Sequence, residues 1–578
     1  MDPINFNNKA AGSAKTFIQN MFSKENREET VPKNPVKKNL ICVLLTIILA
    51  AVLYYFMLPV MNFKEIKMYF YWGIVLLSYP VFLHIISGAL LDEGKKNYAN
   101  RRTKPFVIII VVLIITVVGG LLSSAIFFRA KSYSKLMDVQ MGDFATDVDE
   151  IDFSSVPMLD KASAQKLGAR QLGKLSEYVS QYEDAQYYTQ INYKNVPVRV
   201  TTLRYANAIK WLTNFREGIP AYMIVDMTTQ EVEVVKLEEG IKYSPAEHFN
   251  RLLTRHLRFE YPTYIFDQPT FEIDDSGHPY WICARLDKTI GLFGGEDVIG
   301  IVIVDAVTGE TEYHDINAIK NDKSLQWIDM VYSSNLLVEQ YNYYGQYSRG
   351  FWNSILGQKD VKVTSAGYNY LALNNDVYMY TGVTSVTNDD SIIGFILCNQ
   401  RTKETSFYKI SGATEYSAMG SAEGKVQQYK YEATFPLLLN INNEPTFFMA
   451  LKDTEGLVKM YSLVNVSQYQ VVVTATTLDE CLVAYNNERS KVSTTEDSGE
   501  ENQTKDIKIT GVIDDIRTAV LGGESYYYIR FEGKDTYYCI SASSSQNAII
   551  LDEGETVTIT ISSNVNENSD IIQAKAVE

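Results

Sequence analysis

The chain has 578 residues, 46% hydrophobic and 12% aromatic with 40 Tyr, and a formal net charge of -16; it is too long for one core, so several folded units are expected. The charge is divided, with 14 Lys and Arg against 7 Asp and Glu in residues 1–128 and 39 against 62 in the remainder. An acidic body repels phosphate backbones, which argues against nucleic acid as a partner.

Residues 1–38 are a polar tail with seven Lys and Arg. Within residues 39–128 three apolar stretches, Leu40–Val60, Met68–Leu91 and Pro105–Phe128, each approach the ~20 residues that cross the hydrocarbon core as a helix. They lack the polar face of a soluble core helix, which makes them spans. The first connecting loop carries two Lys and the second carries five Lys and Arg. The positive-inside rule then makes this a multi-pass cell-membrane protein, with the N-terminus cytoplasmic and residues 129–578 extracytoplasmic, in contact with the bilayer. His84 is the one strongly ionisable side chain within the spans, without an acidic or basic partner nearby in sequence. An intramembrane histidine is a functional candidate by default, but helix packing or an interfacial position fits a lone one better. Gly119-Gly120 in the third span would permit close helix contact.

After a juxtamembrane segment at 129–156, residues 157–320 and 321–487 read as successive α+β units. Asp160 is an N-cap for a helix to about Gln181. Tyr187–Tyr193 and Val198–Leu203 are strands joined through Lys194 and Asn195, followed by a short helix at Ala206–Phe215. A helix at Pro245–Leu257 precedes strands at Tyr264–Phe266, Thr270–Ile273, Tyr280–Leu286 and Val298–Val304. A Tyr-rich helix from about Ser333 to Leu356 introduces strands at Tyr368–Leu373, Val377–Tyr380 and Ile392–Cys398. A helix at Ser421–Tyr429 precedes strands at Phe435–Asn440, Thr446–Leu451 and Lys459–Val464, and a last helix spans Leu478–Asn487.

One phrase recurs through this body, clearest as Ile301-Val-Ile-Val-Asp305-Ala-Val-Thr308-Gly309-Glu310. It spells strand, tight reversal and strand. The other copies turn at Asp226, Asn399 and Asn465, where a short side-chain oxygen can take backbone N–H groups ahead of it, so these four positions are structural turn residues. The spacings of 79, 94 and 66 residues exceed a solenoid period. A helix followed by a small antiparallel sheet with a strand reading apolar-Val-Asp-x-x-Thr-Gly-Glu resembles the PepSY and PepSY-like domains of bacterial envelopes. The whole resembles membrane-anchored proteins of Gram-positive bacteria. The resemblance implies modules that bind or restrain partner proteins, with envelope or membrane proteins as partners.

Residues 488–505 read as a polar linker. Strands at Ile507–Ile513, Ser525–Phe531, Thr536–Ser541 and Val557–Ile561 within 506–578 resemble a small OB-like or SH3-like β-barrel, whose 5 basic and 12 acidic residues disfavour oligonucleotides. Chemistry is sparse. Cys42, Cys283, Cys398, Cys481 and Cys539 have no paired spacing and read as buried thiols, with one long-range disulfide among the last four left open. Ser163-Ala-Gln-Lys166 spells SxxK without the rest of that signature. His248 and His256, beside Arg251, Arg255 and Arg258, are eight residues apart and lack the i,i+4 spacing of helix-borne metal ligands, leaving a solvated basic face. Gly291–Gly295 reads as a flexible turn, and Asp143–Asp152 as a solvated acidic stretch. No catalytic, cofactor-binding or metal residue is assigned. The expected function is an envelope binding or scaffold protein; the alternatives are an accessory subunit of a transport or assembly complex and an enzyme whose site is dispersed in sequence.

Overall fold

The structure is a computed structural model that describes residues 29–150, 156–496 and 507–577, apart from 186, 374, 387, 522–523, 543 and 562–570. Among these residues three helices are long and apolar enough to cross a membrane: α1 (Pro35–Met57), α2 (Ile66–Ser87) and α3 (Glu93–Ser124). Their outward Leu, Ile and Val side chains are exposed in the chain itself, as lipid-facing positions are. At one end, Thr30 N–H donates to the Gly94 carbonyl at 3.2 Å and Arg101 pairs with Glu29 at 3.0 Å, so the tail and the second loop share a side. The other end carries the body. After α3 come α4 (Ile126–Tyr133), β1 (Gln140–Gly142) and α5 (Phe144–Asp147).

The body repeats one unit four times. The first has α6 (Lys161–Gly173), β2 (Tyr182–Asp184), β3 (Thr189–Tyr193), β4 (Val196–Tyr205), α7 (Ala208–Asn214), β5 (Ile219–Asp226) and β6 (Val232–Ile241). The second has α8 (Leu253–Glu260), β7 (Ile265–Phe266), β8 (Thr270–Ile273), β9 (Pro279–Ile290), β10 (Gly294–Asp305) and β11 (Thr311–Asp315), followed by α9 (Ile316–Asn321). The third has α10 (Ser334–Tyr347), β12 (Lys362–Thr364), β13 (Asn369–Leu373), β14 (Asp376–Ser385), β15 (Asn388–Asn399) and β16 (Thr405–Tyr408). After β17 (Gly412–Ala413), which pairs with β15 in the third unit's sheet, the fourth has α11 (Glu415–Lys425), β18 (Glu432–Ala433), β19 (Leu437–Ile441), β20 (Glu444–Lys452), β21 (Val458–Asn465) and β22 (Val472–Ala475), followed by α12 (Leu478–Glu496). In every unit a helix leads into a four-strand antiparallel meander, and an extra short strand (β2, β7, β12 or β18) extends its first edge by pairing with the second strand. The smallest hairpins turn on residues forced into the left-handed region, Lys194-Asn195 (φ 54° and 65°) and Asn442-Asn443 (φ 52° and 60°), as two-residue reversals of twisted strands require.

The sheets stack face to face. Along β9 and β10, Trp281, Cys283, Val302 and Val304 face the first unit, while Ile282, Ala284, Ile301 and Ile303 face α10 and the third unit. Along β14 and β15, Met379, Ile396 and Cys398 join that same core, while Tyr380, Phe395 and Leu397 face the fourth unit. Burial on both faces explains why these strands read as unbroken apolar runs without alternation. The first and fourth units also meet: Asp160 pairs with Lys452 at 2.7 Å and Lys166 Nζ donates to the Glu455 carbonyl at 2.5 Å. The body is therefore a closed cluster, not an open row. The juxtamembrane segment belongs to it, since β1 pairs in parallel with β16 and Phe144 and Val148 are buried in the core of the third and fourth units. The part of the acidic stretch through Val148 is thus anchored, and 151–155 lie outside the described residues.

Several expected boundaries move for physical reasons. The helix expected at Pro245–Leu257 starts at Leu253, because Phe249 sits at φ 51° and the buried Glu247 carboxylate is held by Tyr205 Oη at 2.6 Å and Trp211 Nε1 at 2.8 Å. The helix expected to reach Leu356 breaks after Tyr347, near Gly350 at φ 86°. The fourth unit's helix lies earlier than expected, at Glu415–Lys425 with Thr414 as N-cap. The helix from Leu478 runs on to Glu496, through the first part of the expected linker; residues 497–505 lie outside the described residues.

At the C-terminus β23 (Ile507–Leu521), β24 (Glu524–Phe531), β25 (Tyr537–Ser541), β26 (Thr556–Ile561) and β27 (Ile571–Val577) close into a ring in the order β23-β24-β25-β27-β26. Its last strand was not expected, and pairs in parallel with β25. Ile529, Ile540 and Ile559 form its own core, and Asn487 Nδ2 donates to Tyr526 Oη at 2.9 Å to join it to α12.

The body sits directly on the spans. Lys64, in the α1–α2 connection, donates to both Asp287 oxygens at 2.8 Å. The β9–β10 tip wedges against α2 and α3: Phe293 N–H donates to Ser124 Oγ at 2.8 Å, and its ring meets Tyr69 edge-on at 5.7 Å. A Cβ on Gly120 would lie 2.3 Å from the Phe293 ring, so this glycine makes room for the body instead of a neighbouring helix, and Gly291–Gly295 is a docking tip instead of a free turn. Arg255 stacks over Tyr55 at 4.1 Å, and Arg258 Nη1 donates to the Tyr264 carbonyl at 2.8 Å. Both arginines are buried, which replaces the expected solvated basic face.

Candidate functional site

The four phrase residues occupy one corner, at the end of the third strand of each unit. Oδ1 accepts from the N–H groups two and three residues ahead: Thr228 and Thr229 at Asp226 (2.7 and 2.9 Å), Val307 and Thr308 at Asp305 (2.7 and 2.9 Å), Arg401 and Thr402 at Asn399 (both 2.9 Å), and Ser467 and Gln468 at Asn465 (3.0 and 2.8 Å). The next residue donates back to the start of the second strand, at Pro197, Pro279, Val377 and Pro445. At Asp226 burial pushes the carboxyl up, yet the Thr228 and Thr229 donors outweigh it and hold it below the usual range. These bonds satisfy turn backbone.

His84 lies in the last turn of α2, with Nδ1 on the Pro80 carbonyl at 2.8 Å and Nε2 on Asn100 Oδ1 at 3.0 Å. Both ring nitrogens are used: Nδ1 stays within α2, and Nε2 ties α2 to α3. His248 packs on the Trp211 ring at 4.7 Å, whereas His256 Nε2 bonds the Gly309 carbonyl at 2.8 Å. Ser163 N–H donates to the capping Asp160 Oδ1 at 2.9 Å and Lys166 reaches the fourth unit, so the SxxK pair does not converge. All five cysteines are free thiols; burial pushes Cys283 up, and Cys398 and Cys481 up to about 12. That leaves them protonated and inert. Among the described residues no group of three or more His, Cys, Asp or Glu is placed to hold a metal.

What the fold does assemble is a cleft of about 210 Å³ where the first three units converge. It is lined by residues including Lys161, Tyr187, Gln190, Thr270, Met330, Ser334 and Tyr370. Behind one wall lies Arg199, 4% exposed on β4. Its Nη2 donates to Gln190 Oε1 at 3.1 Å, and its Nε has no partner. A guanidinium only donates, so it fixes the Gln190 oxygen toward itself and leaves the buried Gln190 Nε2 as an unused donor. Burial, then the charge of Arg199, presses the Lys161 pKa down.

Behind the opposite wall is an acid pair. Glu272, fully buried on β8, accepts from the N–H groups of Asp329 and Met330 at 2.9 and 3.0 Å and from Thr270 Oγ1 at 3.2 Å. Asp329 Oδ2 accepts from Asn192 N–H at 2.6 Å, and Asn192 Nδ2 donates to Asn375 Oδ1 at 3.2 Å. One chain of bonds thus ties the second, first and third units. Burial pushes the Glu272 carboxyl up to about 7 and raises Asp329 too, which the Glu272 charge raises further. Chemically the cleft presents donors on one side and a carboxyl pair that favours a retained proton behind the other.

Sequence reasoning missed Arg199, Gln190, Glu272 and Asp329. A charge flanked by apolar strand residues, as in Val198-Arg199-Val200 or Phe271-Glu272-Ile273, is ordinarily the solvent side of an alternating strand. Only the stacking of units buries that side. Compared with family models, curated proteins and solved structures, the chain matches none. Fold and cleft together define a class: an α+β body of repeated units mounted on apolar helices able to span a membrane.

Proposed function

We propose that this chain is a membrane-anchored extracytoplasmic binding or scaffold protein of the bacterial cell envelope. The observation that carries the reading is the cleft at the meeting of three units, lined by Gln190, whose buried Nε2 has no partner among the described residues, and set in a body locked onto the spans. Clefts between packed units are where ligands and partner segments ordinarily bind. The excess of Lys and Arg in the tail and second loop supports a cytoplasmic N-terminus and an outward body. The helix-plus-meander unit fits the PepSY-like expectation, and the ring order with its parallel β25–β27 pair fits an OB-like barrel over an SH3-like one. The partners in this reading are envelope or membrane proteins.

An accessory subunit of a membrane complex is the second reading. An apolar groove of about 460 Å³ between α2 and α3, lined by Phe70, Gly73, Leu77, Leu113 and Val117, offers at Gly73 a place where a partner helix could approach closely. Photo-crosslinkers placed at Tyr187 on the cleft, at Gly73 in the groove and at Tyr469 as a distant exposed site, in full-length protein in native membranes, separate the two. The binding reading predicts a discrete adduct from position 187. An adduct from position 73 alone would favour the accessory subunit, and adducts from neither would overturn both.

A further inference from the structure

The third span ends at Ser124, and the helix is interrupted at the extended Ala125 before α4 begins. Phe127 and Phe128, the next apolar pair, are 48% and 65% exposed. Three residues past the end of a span they lie at the headgroup level, where aromatic side chains concentrate. Against Phe127 stand Phe351 and Trp352, with ring centroids at 5.1 and 5.6 Å. These come from the segment after α10 that sequence alone extends as helix. Here it is a separate short turn, Asn353–Gly357, displaying Trp352, Ile355 and Leu356 at 62%, 52% and 76% exposure.

Large apolar side chains clustered and this exposed on a water-facing surface would forgo the free energy of burial. The spans themselves say what covers these ones. The patch is continuous with Phe127 at the edge of α3, and exposed Arg129, Lys131 and Lys359 flank it, the arrangement of an interfacial membrane contact. We propose that Phe351–Leu356 is a membrane foot, seated with Phe127 and Phe128 in the headgroup–acyl boundary of the leaflet on the body's side. It holds the third unit down on the bilayer, as the β9–β10 tip holds the second. The proposal is independent of what the cleft binds. It also accounts for two of the three basic residues just beyond the third span, which run against a simple inside–outside charge count: Arg129 and Lys131, which flank the foot, face lipid headgroups.

The test uses full-length protein carrying Leu356→Cys, or Ile355→Cys as a second reporter, with Tyr469→Cys in the fourth unit as the reference. All native thiols are buried, so a fluorophore reports the introduced site. In vesicles of phosphatidylcholine and phosphatidylglycerol containing lipids quencher-labelled near the headgroup, the foot reporters should be quenched about threefold or more over the reference, and shielded from aqueous iodide. Quenching at both foot positions no greater than at 469, with free access to iodide, would overturn the proposal.

Discussion

The first two units close their corner with Asp226 and Asp305, the last two with Asn399 and Asn465, and the reason lies across the hairpin. The position two residues before the corner's strand partner is Val196, His278, Asp376 and Glu444 in the four units. His278 Nε2 meets Asp305 Oδ2 at 2.9 Å. In the later units the corner donates instead, Asn399 Nδ2 to Asp376 Oδ2 at 2.7 Å and Asn465 Nδ2 to Glu444 Oε2 at 2.8 Å. All four keep the Oδ1 that builds the turn. The second side-chain atom changes from acceptor to donor when its neighbour becomes a carboxylate, since two carboxylates at that distance repel. One backbone device is kept, and its outer face is adjusted to local charge.

The largest effect is expected where the comparison is most buried. Asn399→Asp sets a second carboxylate against Asp376, which already has Arg401 Nε at 2.9 Å, and should destabilise the protein by about 3 kcal/mol in chemical unfolding. Next is the buried acid pair behind the cleft. Glu272 and Asp329 are both raised above their unfolded values of 4.5 and 3.8, so the stability they contribute is full below those values and is lost as pH rises, for Glu272 through about 7. Asp329→Asn keeps an acceptor for Asn192 and removes one charge. Its stability should fall less than the wild type's over that window, leaving it about 1–2 kcal/mol ahead near neutrality; unfolding midpoints measured across pH read this out, and an unchanged slope would contradict it. Asn465→Asp, beside a Glu444 that is 42% exposed and paired with Arg489 at 2.7 Å, should cost about 1 kcal/mol and less in high salt. The smallest change is Asp305→Asn, which keeps the turn acceptor and loses only the half-exposed His278 pair, at about 0.5 kcal/mol.

Much of this was legible. The spans, the strand order within each unit and the corner residues follow from apolar runs, turn residues and side-chain reach, all local properties. The capping of α6 by Asp160, whose side chain accepts from Ser163 N–H, is readable in the same way. The helix breaks near Phe249 and Gly350 were not, because buried partners and left-handed residues decide them. Nor was the cleft. Arg199 and Glu272 look like surface residues until the units stack, and contacts such as Asp160 with Lys452, 292 residues apart, leave no periodic trace. Gly120 was legible as a close-approach site but not for what approaches it, a phenylalanine of the body.

The central claim is that the body is one unit used four times with its corner adapted to each neighbour. A double-mutant cycle over positions 376 and 399 tests it most directly. Asn399→Asp alone should be strongly destabilising, and adding Asp376→Asn should recover much of the loss by restoring a donor opposite the new carboxylate, giving a coupling of about 2 kcal/mol in unfolding free energy. Simple additivity of the two substitutions would mean that the corner residue does not read the charge across the hairpin, and the account of the four units would fail at its best-buried point.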